Sequence, residues 1–143
     1  MQEIDRLDQI SRRIIGAAIA VHRHLGPGLL ESAYQSCLAF ELKQLGLRFE
    51  EQKPLPVTYK EVRLDCGYRL DLVVEDEIIV EIKAAEALLP IHQAQLLSYL
   101  RIANKRVGLL INFHVPILKN GLKRIVNEFP DTLLATTVSN VSE

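Results

Sequence analysis

The chain has 143 residues, 48% apolar and 24% charged, with a formal net charge of −1. That is the size and mix of one soluble domain with a single core, and the balance excludes a strongly basic protein that coats long stretches of nucleic acid. No apolar run approaches the ~18 residues that span a bilayer, and Met1 to Arg13 lacks the pattern of a signal peptide, so the expected location is the cytoplasm, with no membrane partner.

Ile4, Leu7, Ile10, Ile14, Ala17, Ala18 and Val21 recur at helical spacing and predict a first helix. Gly26-Pro27-Gly28 stops it. A second helix is predicted from Leu29 to Leu45, with Gly46 as its C-terminal cap. Arg48 to Tyr59 reads as extended, and Pro54 and Pro56 confine it to a sheet edge or a bulge. Three short strands follow: Val62 to Cys66, Tyr68 to Val74 and Ile78 to Ile82, the last two joined as a β-hairpin through Glu75-Asp76-Glu77. Pro90 opens a third helix that runs to about Ala103. Val107 to Phe113, almost continuously apolar, reads as a buried central strand. Gly121 to Asn127 reads as a short last helix, and the segment from Thr132 onward as a patternless, mobile tail. This order implies an α/β fold, a mixed sheet with helices on its faces. Cys37 and Cys66 lack the spacing of a zinc site, and Cys37 falls in a helical apolar pattern as a small buried hydrophobe.

The hairpin carries the chemical argument. With Glu75-Asp76-Glu77 as its loop, Val74 faces Ile78, Leu72 faces Val80, Asp71 faces Glu81 and Arg69 faces Lys83. Strand alternation then places Arg69, Asp71, Val73, Ile79, Glu81 and Lys83 on one face, and Leu70, Leu72, Val80 and Ile82 on the other. Two directly opposed carboxylates repel, and a divalent cation between them reverses the sign. Mg²⁺ takes one or two carboxylates and keeps several waters. Lys83, two residues from Glu81, can then face a reacting phosphate. Two alternatives stand beside this reading: a solvated face of ordinary charges, and an Arg69/Asp71, Glu81/Lys83 ion-pair quartet without metal. His92, Gln95 and Tyr99 share one face of the third helix. Glu31 in the first turn of the second helix, and His22 and His24 in the last turn of the first, are each explained by the helix dipole alone.

Gly28-Leu29-Leu30-Glu31-Ser32-Ala33-Tyr34 matches the GxxExxY pattern that names a family of small bacterial and archaeal proteins. The resemblance extends through Val21-His22, Gln52-Lys53-Pro54-Leu55-Pro56-Val57, Asp71, Glu81-Ile82-Lys83, Gln95 to Tyr99 and Leu109 to Phe113. That family is placed in the PD-(D/E)XK nuclease superfamily. The resemblance implies a restriction-endonuclease-like core in the order αβββαβ, with residues 1–130 as one nuclease-like domain and 131–143 as a C-terminal tail. It implies a Mg²⁺ or Mn²⁺ site held by Glu31, Asp71 and Glu81, with Asp71, Glu81, Lys83, Gln95 and Tyr99 as the catalytic set. Leu70 stands where the superfamily's motif has proline. The implied activity is hydrolysis of phosphodiester bonds in nucleic acid, DNA favoured over RNA, without strong sequence specificity. The competing reading is a non-catalytic module on the same fold that binds nucleic acid or protein, and a homodimer is compatible with either. Arg101, Lys105, Arg106, Lys119, Lys123 and Arg124 are the basic residues expected, in part, to hold phosphates beside the site.

Overall fold

In the computed structural model, residues 2–127 and 139–142 are described. Helix α1 (Gln2–Leu25) buries Leu7, Ile10, Ile14, Ala17, Ala18 and Val21, the stripe expected from their spacing. Helix α2 (Glu31–Gln44) ends in a Schellman turn. The Leu47 N–H reaches the Leu42 carbonyl (3.0 Å), the Gly46 N–H reaches that of Lys43 (3.0 Å), and Gly46 takes the left-handed φ of 77° that such a cap requires.

The strands are β1 (Phe49–Pro54), β2 (Val57–Tyr59), β3 (Val62–Leu64), β4 (Arg69–Val74), β5 (Ile78–Lys83), β6 (Val107–Asn112), β7 (Leu122–Val126) and β8 (Ser139–Ser142). Six of them form one sheet in the order β1-β4-β5-β6-β7-β8. Only the β5–β6 pair is parallel, and helix α3 (Pro90–Ala103) supplies the crossover that a parallel pair needs. Leu72, Val74, Val80, Ile82, Leu109 and Ile111 meet α1 and α2 on one face of the sheet. Val73, Ile79, Leu110 and Ile125 meet Leu96, Tyr99 and Leu100 of α3 on the other. The result is a mixed sheet between helical layers, a restriction-endonuclease-like α/β fold.

Three expectations are corrected. The expected strand at Val62 to Cys66 does not enter the main sheet: Val62–Leu64 pairs with Val57–Tyr59 in a separate hairpin. The edge strand is Phe49–Pro54, where its proline faces no further ladder. The expected helix at Gly121 to Asn127 is β7, preceded by a 3₁₀ turn (Leu118–Gly121). Leu122 and Ile125 are three apart, which fits either period. They enter opposite cores because the open edge of β6 takes this segment as its hydrogen-bonding partner. Lastly, Ser139–Ser142 of the expected tail pairs with β7, while the mobility expected of that tail concerns residues otherwise outside those described.

Candidate metal and nuclease site

The site begins with the hairpin register. Glu75 and Asp76 take left-handed φ values of 54° and 57°, and the Glu77 N–H closes the turn on the Val74 carbonyl at 3.0 Å. Arg48 and Glu75 brace it by reciprocal backbone and side-chain bonds, and Lys105 grips Asp76. The turn sets Val74 opposite Ile78, Val73 opposite Ile79 and Leu72 opposite Val80.

One step further the ladder opens. The Asp71 N–H donates to Oε2 of Glu81 (2.9 Å), and the Ile82 N–H donates to Oδ2 of Asp71 (2.8 Å). Side-chain carboxylates thus take the places that backbone carbonyls fill in a regular pair. On the other flank Gln52 has a left-handed φ of 48° and drops out of the β1–β4 ladder. Its Nε2 donates to Oδ1 of Asp71 (3.2 Å) and to Oε1 of Gln35 on α2 (2.8 Å). Gln35 in turn donates to Glu51 (3.1 Å). This distortion overturns one expected face assignment: Leu70 turns into the α3 core with Val73 and Ile79, while Leu72 stays in the other. Arg69 is paired with Pro54 rather than with Lys83.

Glu81 is buried, at 6% exposure. Burial, then the neighbouring Asp71 carboxylate, pushes its carboxyl up to about 8, against the Asp71 N–H bond and the Lys83 ammonium, which favour the ion. Glu31 adds to the upward push. Its carboxylate accepts the Ala84 N–H just past β5 (3.3 Å), so it acts on the site in addition to capping charge on α2. Tyr34 explains how Glu31 gets there. Its hydroxyl donates to the Gly26 carbonyl (2.5 Å) and accepts the Leu29 N–H (3.1 Å), and its ring stacks on Phe113 at 4.4 Å. The bent loop before α2, with Gly26 and Gly28 at φ of 70° and 109°, is thereby fixed.

From α3, Tyr99 reaches the same place. Burial chiefly, then Glu81, Tyr68 and Asp71, raise its phenol above the ordinary value. Gln95, one turn earlier, is half-buried and makes no side-chain hydrogen bond among the described residues. His92 does not join them: its Nδ1 accepts the Leu89 N–H (3.0 Å) and caps the helix. Three expected phosphate-binding residues are also engaged elsewhere. Lys105 pairs with Asp76 at the far end of β5, Arg106 with Glu3, and Arg124 with Asp8.

Sequence reasoning missed Gln35, Gln52 and Asn112. Buried Asn112 accepts the Ala85 and His114 N–H groups (3.0 and 3.2 Å) and donates to the Ala85 carbonyl (2.8 Å), clamping the segment that follows Lys83. The left-handed Gln52 is invisible in a sequence, since nothing but its neighbours forces it. His22 is a correction as well: it is buried, with Nε2 at 2.7 Å from the Val115 carbonyl, and does not serve the helix dipole at the surface.

The donor chemistry suits a hard divalent ion. Asp71 and Glu81 each accept an N–H from the other's strand, and the raised Glu81 carboxyl shows that its ionised form, disfavoured first by burial and then by Asp71, lacks a compensating cation. Among the described residues, no three His, Cys, Asp or Glu side chains converge into a ready-made cage. Any ion here would keep part of its water shell, as Mg²⁺ does. Two cavities of about 700 Å³ lie elsewhere, one at the β4–β5 turn and one between α1 and α2. Among the described residues, no helix is long and apolar enough to cross a membrane.

No curated protein and no solved structure matches the chain. A family model for the PD-(D/E)XK nuclease superfamily matches residues 8–125, from the first turns of α1 through Ile125 in β7. That span includes the split hairpin, its two carboxylates and the lysine beside them. The chain belongs to the PD-(D/E)XK nuclease superfamily.

Proposed function

We propose that the chain is a Mg²⁺- or Mn²⁺-dependent nuclease that hydrolyses phosphodiester bonds without strong sequence specificity, in the GxxExxY branch of its superfamily. The observation that carries this reading is the exchange at the opened ladder. Two buried or half-buried carboxylates are held side by side by each other's strands, at the expense of backbone pairing. Asp71 and Glu81 would hold the ion, with Glu31 at its margin. When bound, the ion supplies Lewis acidity and a water of lowered pKa. Lys83, whose ammonium favours the ionised form of Glu81, would stabilise charge on the reacting phosphate. The phenol of Tyr99, raised above its ordinary value by burial and the nearby carboxylates, would remain a proton donor for substrate. Gln95, its amide uncommitted, positions substrate from α3. The chain would act in the cytoplasm on DNA in preference to RNA, as a single domain over residues 1–130, alone or as a homodimer.

A non-catalytic binding module is favoured by one observation: three of the basic residues near the C-terminal end of the fold are neutralised by ion pairs. The test separates the two. Purified protein is titrated with Mg²⁺ and Mn²⁺ and incubated with single- and double-stranded DNA and RNA. The nuclease reading expects cation-dependent cleavage that Asp71→Ala abolishes together with cation binding. Cation binding with no cleavage of any of the four substrates refutes it.

A further inference from the structure

We infer that Tyr68 is a base-stacking platform that selects a single-stranded nucleotide segment over continuous duplex at the Asp71–Glu81 site. The inference rests on the nuclease reading above and names the substrate class of that site. Tyr68 lies in the loop before β4, three residues ahead of Asp71, roughly 10 Å along the chain at strand rise. Tyr68 is 43% exposed, and its ring meets the Tyr99 ring at 5.8 Å between centroids, tilted by 57°. Tyr99 is only 7% exposed, and its phenol is raised above the ordinary value by burial and then by the charges of Glu81 and Asp71. The two rings therefore form a pair whose inner, buried member feels both carboxylates and whose outer, accessible member is Tyr68.

The platform is fixed. The Tyr68 carbonyl accepts the Leu55 N–H at 2.9 Å, and the preceding loop is pinned by the Gly67 N–H on Oδ1 of Asp65 at 3.0 Å. A ring held in place loses little freedom when a base stacks on it. The charges nearby also differ from those at the far end of the sheet. Arg63 and Arg69, on either side of Tyr68 in the chain, are exposed and form no ion pair among the described residues. They are available for phosphates, whereas Lys105, Arg106 and Arg124 are paired. An exposed aromatic ring with unpaired cations before and after it in the chain supplies the elements that hold a single strand: backbone on the cations, base on the ring. A base inside a duplex already has both faces covered. Only an unpaired end, overhang or single strand offers one to Tyr68.

The sequence contains no tryptophan, so Tyr68→Trp places a single fluorophore at the platform. A short single-stranded oligodeoxynucleotide, its blunt duplex and the matching single-stranded RNA are titrated in chelator, so that binding is read without cleavage. The expected result is quenching of the introduced indole's emission by a single strand of either sugar and far less by the duplex. By anisotropy, Tyr68→Leu should lose roughly 5- to 150-fold in single-strand affinity, and Tyr68→Phe should stay near wild type. Absence of quenching, equal quenching by duplex, or wild-type affinity in Tyr68→Leu overturns the platform, leaving the ring as a cover for the α3 core. Should Tyr68→Leu melt early, the quenching in Tyr68→Trp decides. Adding Mg²⁺ afterwards reads the nuclease claim separately. Cleavage with unchanged Tyr68→Leu affinity overturns the platform alone, and single-strand quenching without cleavage overturns the catalytic reading alone.

Discussion

The raised carboxyl of Glu81 makes the metal-free fold sensitive to pH in a defined direction. Its folded value is about 8 against 4.5 in the unfolded chain. A raised folded value means that the native state binds the proton more tightly. Glu81 therefore stabilises the fold fully below pH 4.5, and that contribution is lost as pH rises to about 8, beyond which the curve flattens. A shift of this size on a side chain 6% exposed is on the order of a few kcal/mol, a sizeable part of a domain's roughly 5–15 kcal/mol. Mg²⁺, if held as proposed, would act oppositely, since it would bind the ionised form and stabilise the native state by mass action. Thermal or urea unfolding is measured between about pH 5 and pH 8.5, with chelator and with Mg²⁺, for wild type and Glu81→Gln, a window that spans the titration. Gln keeps an oxygen for the Asp71 N–H and cannot ionise. The expected wild-type-minus-variant difference falls with pH in chelator, by roughly 10 °C in Tm over the range. The Mg²⁺-induced rise in Tm should grow over the same interval and vanish in Glu81→Gln. A wild-type curve parallel to that of Glu81→Gln in chelator would falsify the claim that Glu81 is forced to hold a proton.

Asp71→Asn keeps an oxygen for the Ile82 N–H while removing the second charge, so the pH slope of stability in chelator should become shallower; an unchanged slope assigns the whole effect to burial. Lys83→Ala should retain Mg²⁺-induced stabilisation and lose on the order of 10²–10³ in cleavage rate, and a variant cleaving at the wild-type rate removes Lys83 from the chemistry. Tyr34→Phe leaves the Leu29 N–H without its partner and frees the Gly26 carbonyl. Unfolding should show a loss of about 1–3 kcal/mol, with weaker Mg²⁺ binding because Glu31 follows that loop. Gly121→Ala places a Cβ 2.3 Å from the Asn112 carbonyl oxygen, a backbone atom that cannot swing aside. A destabilisation of about 1–3 kcal/mol is expected by denaturant unfolding.

What the sequence made legible was periodic or local. The stripe from Leu7 to Val21 and the apolar run of β6 declare their partners, because one must cover a face and the other is covered on both. The register from Val74–Ile78 to Leu72–Val80 follows from the turn alone. The errors arise where a distant element decides. Leu122 and Ile125 fit a helix until the edge of β6 claims them. Val62 to Leu64 has strand composition, yet which sheet it joins depends on β1 having already taken the edge of β4. Strict alternation puts Leu70 on the wrong face, and it fails there because Gln52 turns left-handed beside it.

The departures from local rules gather in one place, and this bears on what the region is for. A non-glycine residue in the left-handed region and a buried carboxyl whose ionisation a half-buried carboxylate opposes each work against stability, and two backbone N–H groups bond to side chains instead of a ladder. All three meet around Asp71. A hairpin selected for stability alone would continue its ladder past Leu72 with two apolar residues, as it does from Val74 to Leu72. The intact turn at Glu75–Asp76, braced by Arg48 and Lys105, shows that the surrounding framework is well determined. Such a framework can hold a strained arrangement, and strained arrangements persist where an interaction with something else compensates them. A divalent cation held by Asp71 and Glu81, as proposed, would compensate the pairing of the two carboxyl groups directly. A metal-free salt-bridge quartet does not, because neither Arg69 nor Lys83 forms an ion pair with Asp71 or Glu81 among the described residues.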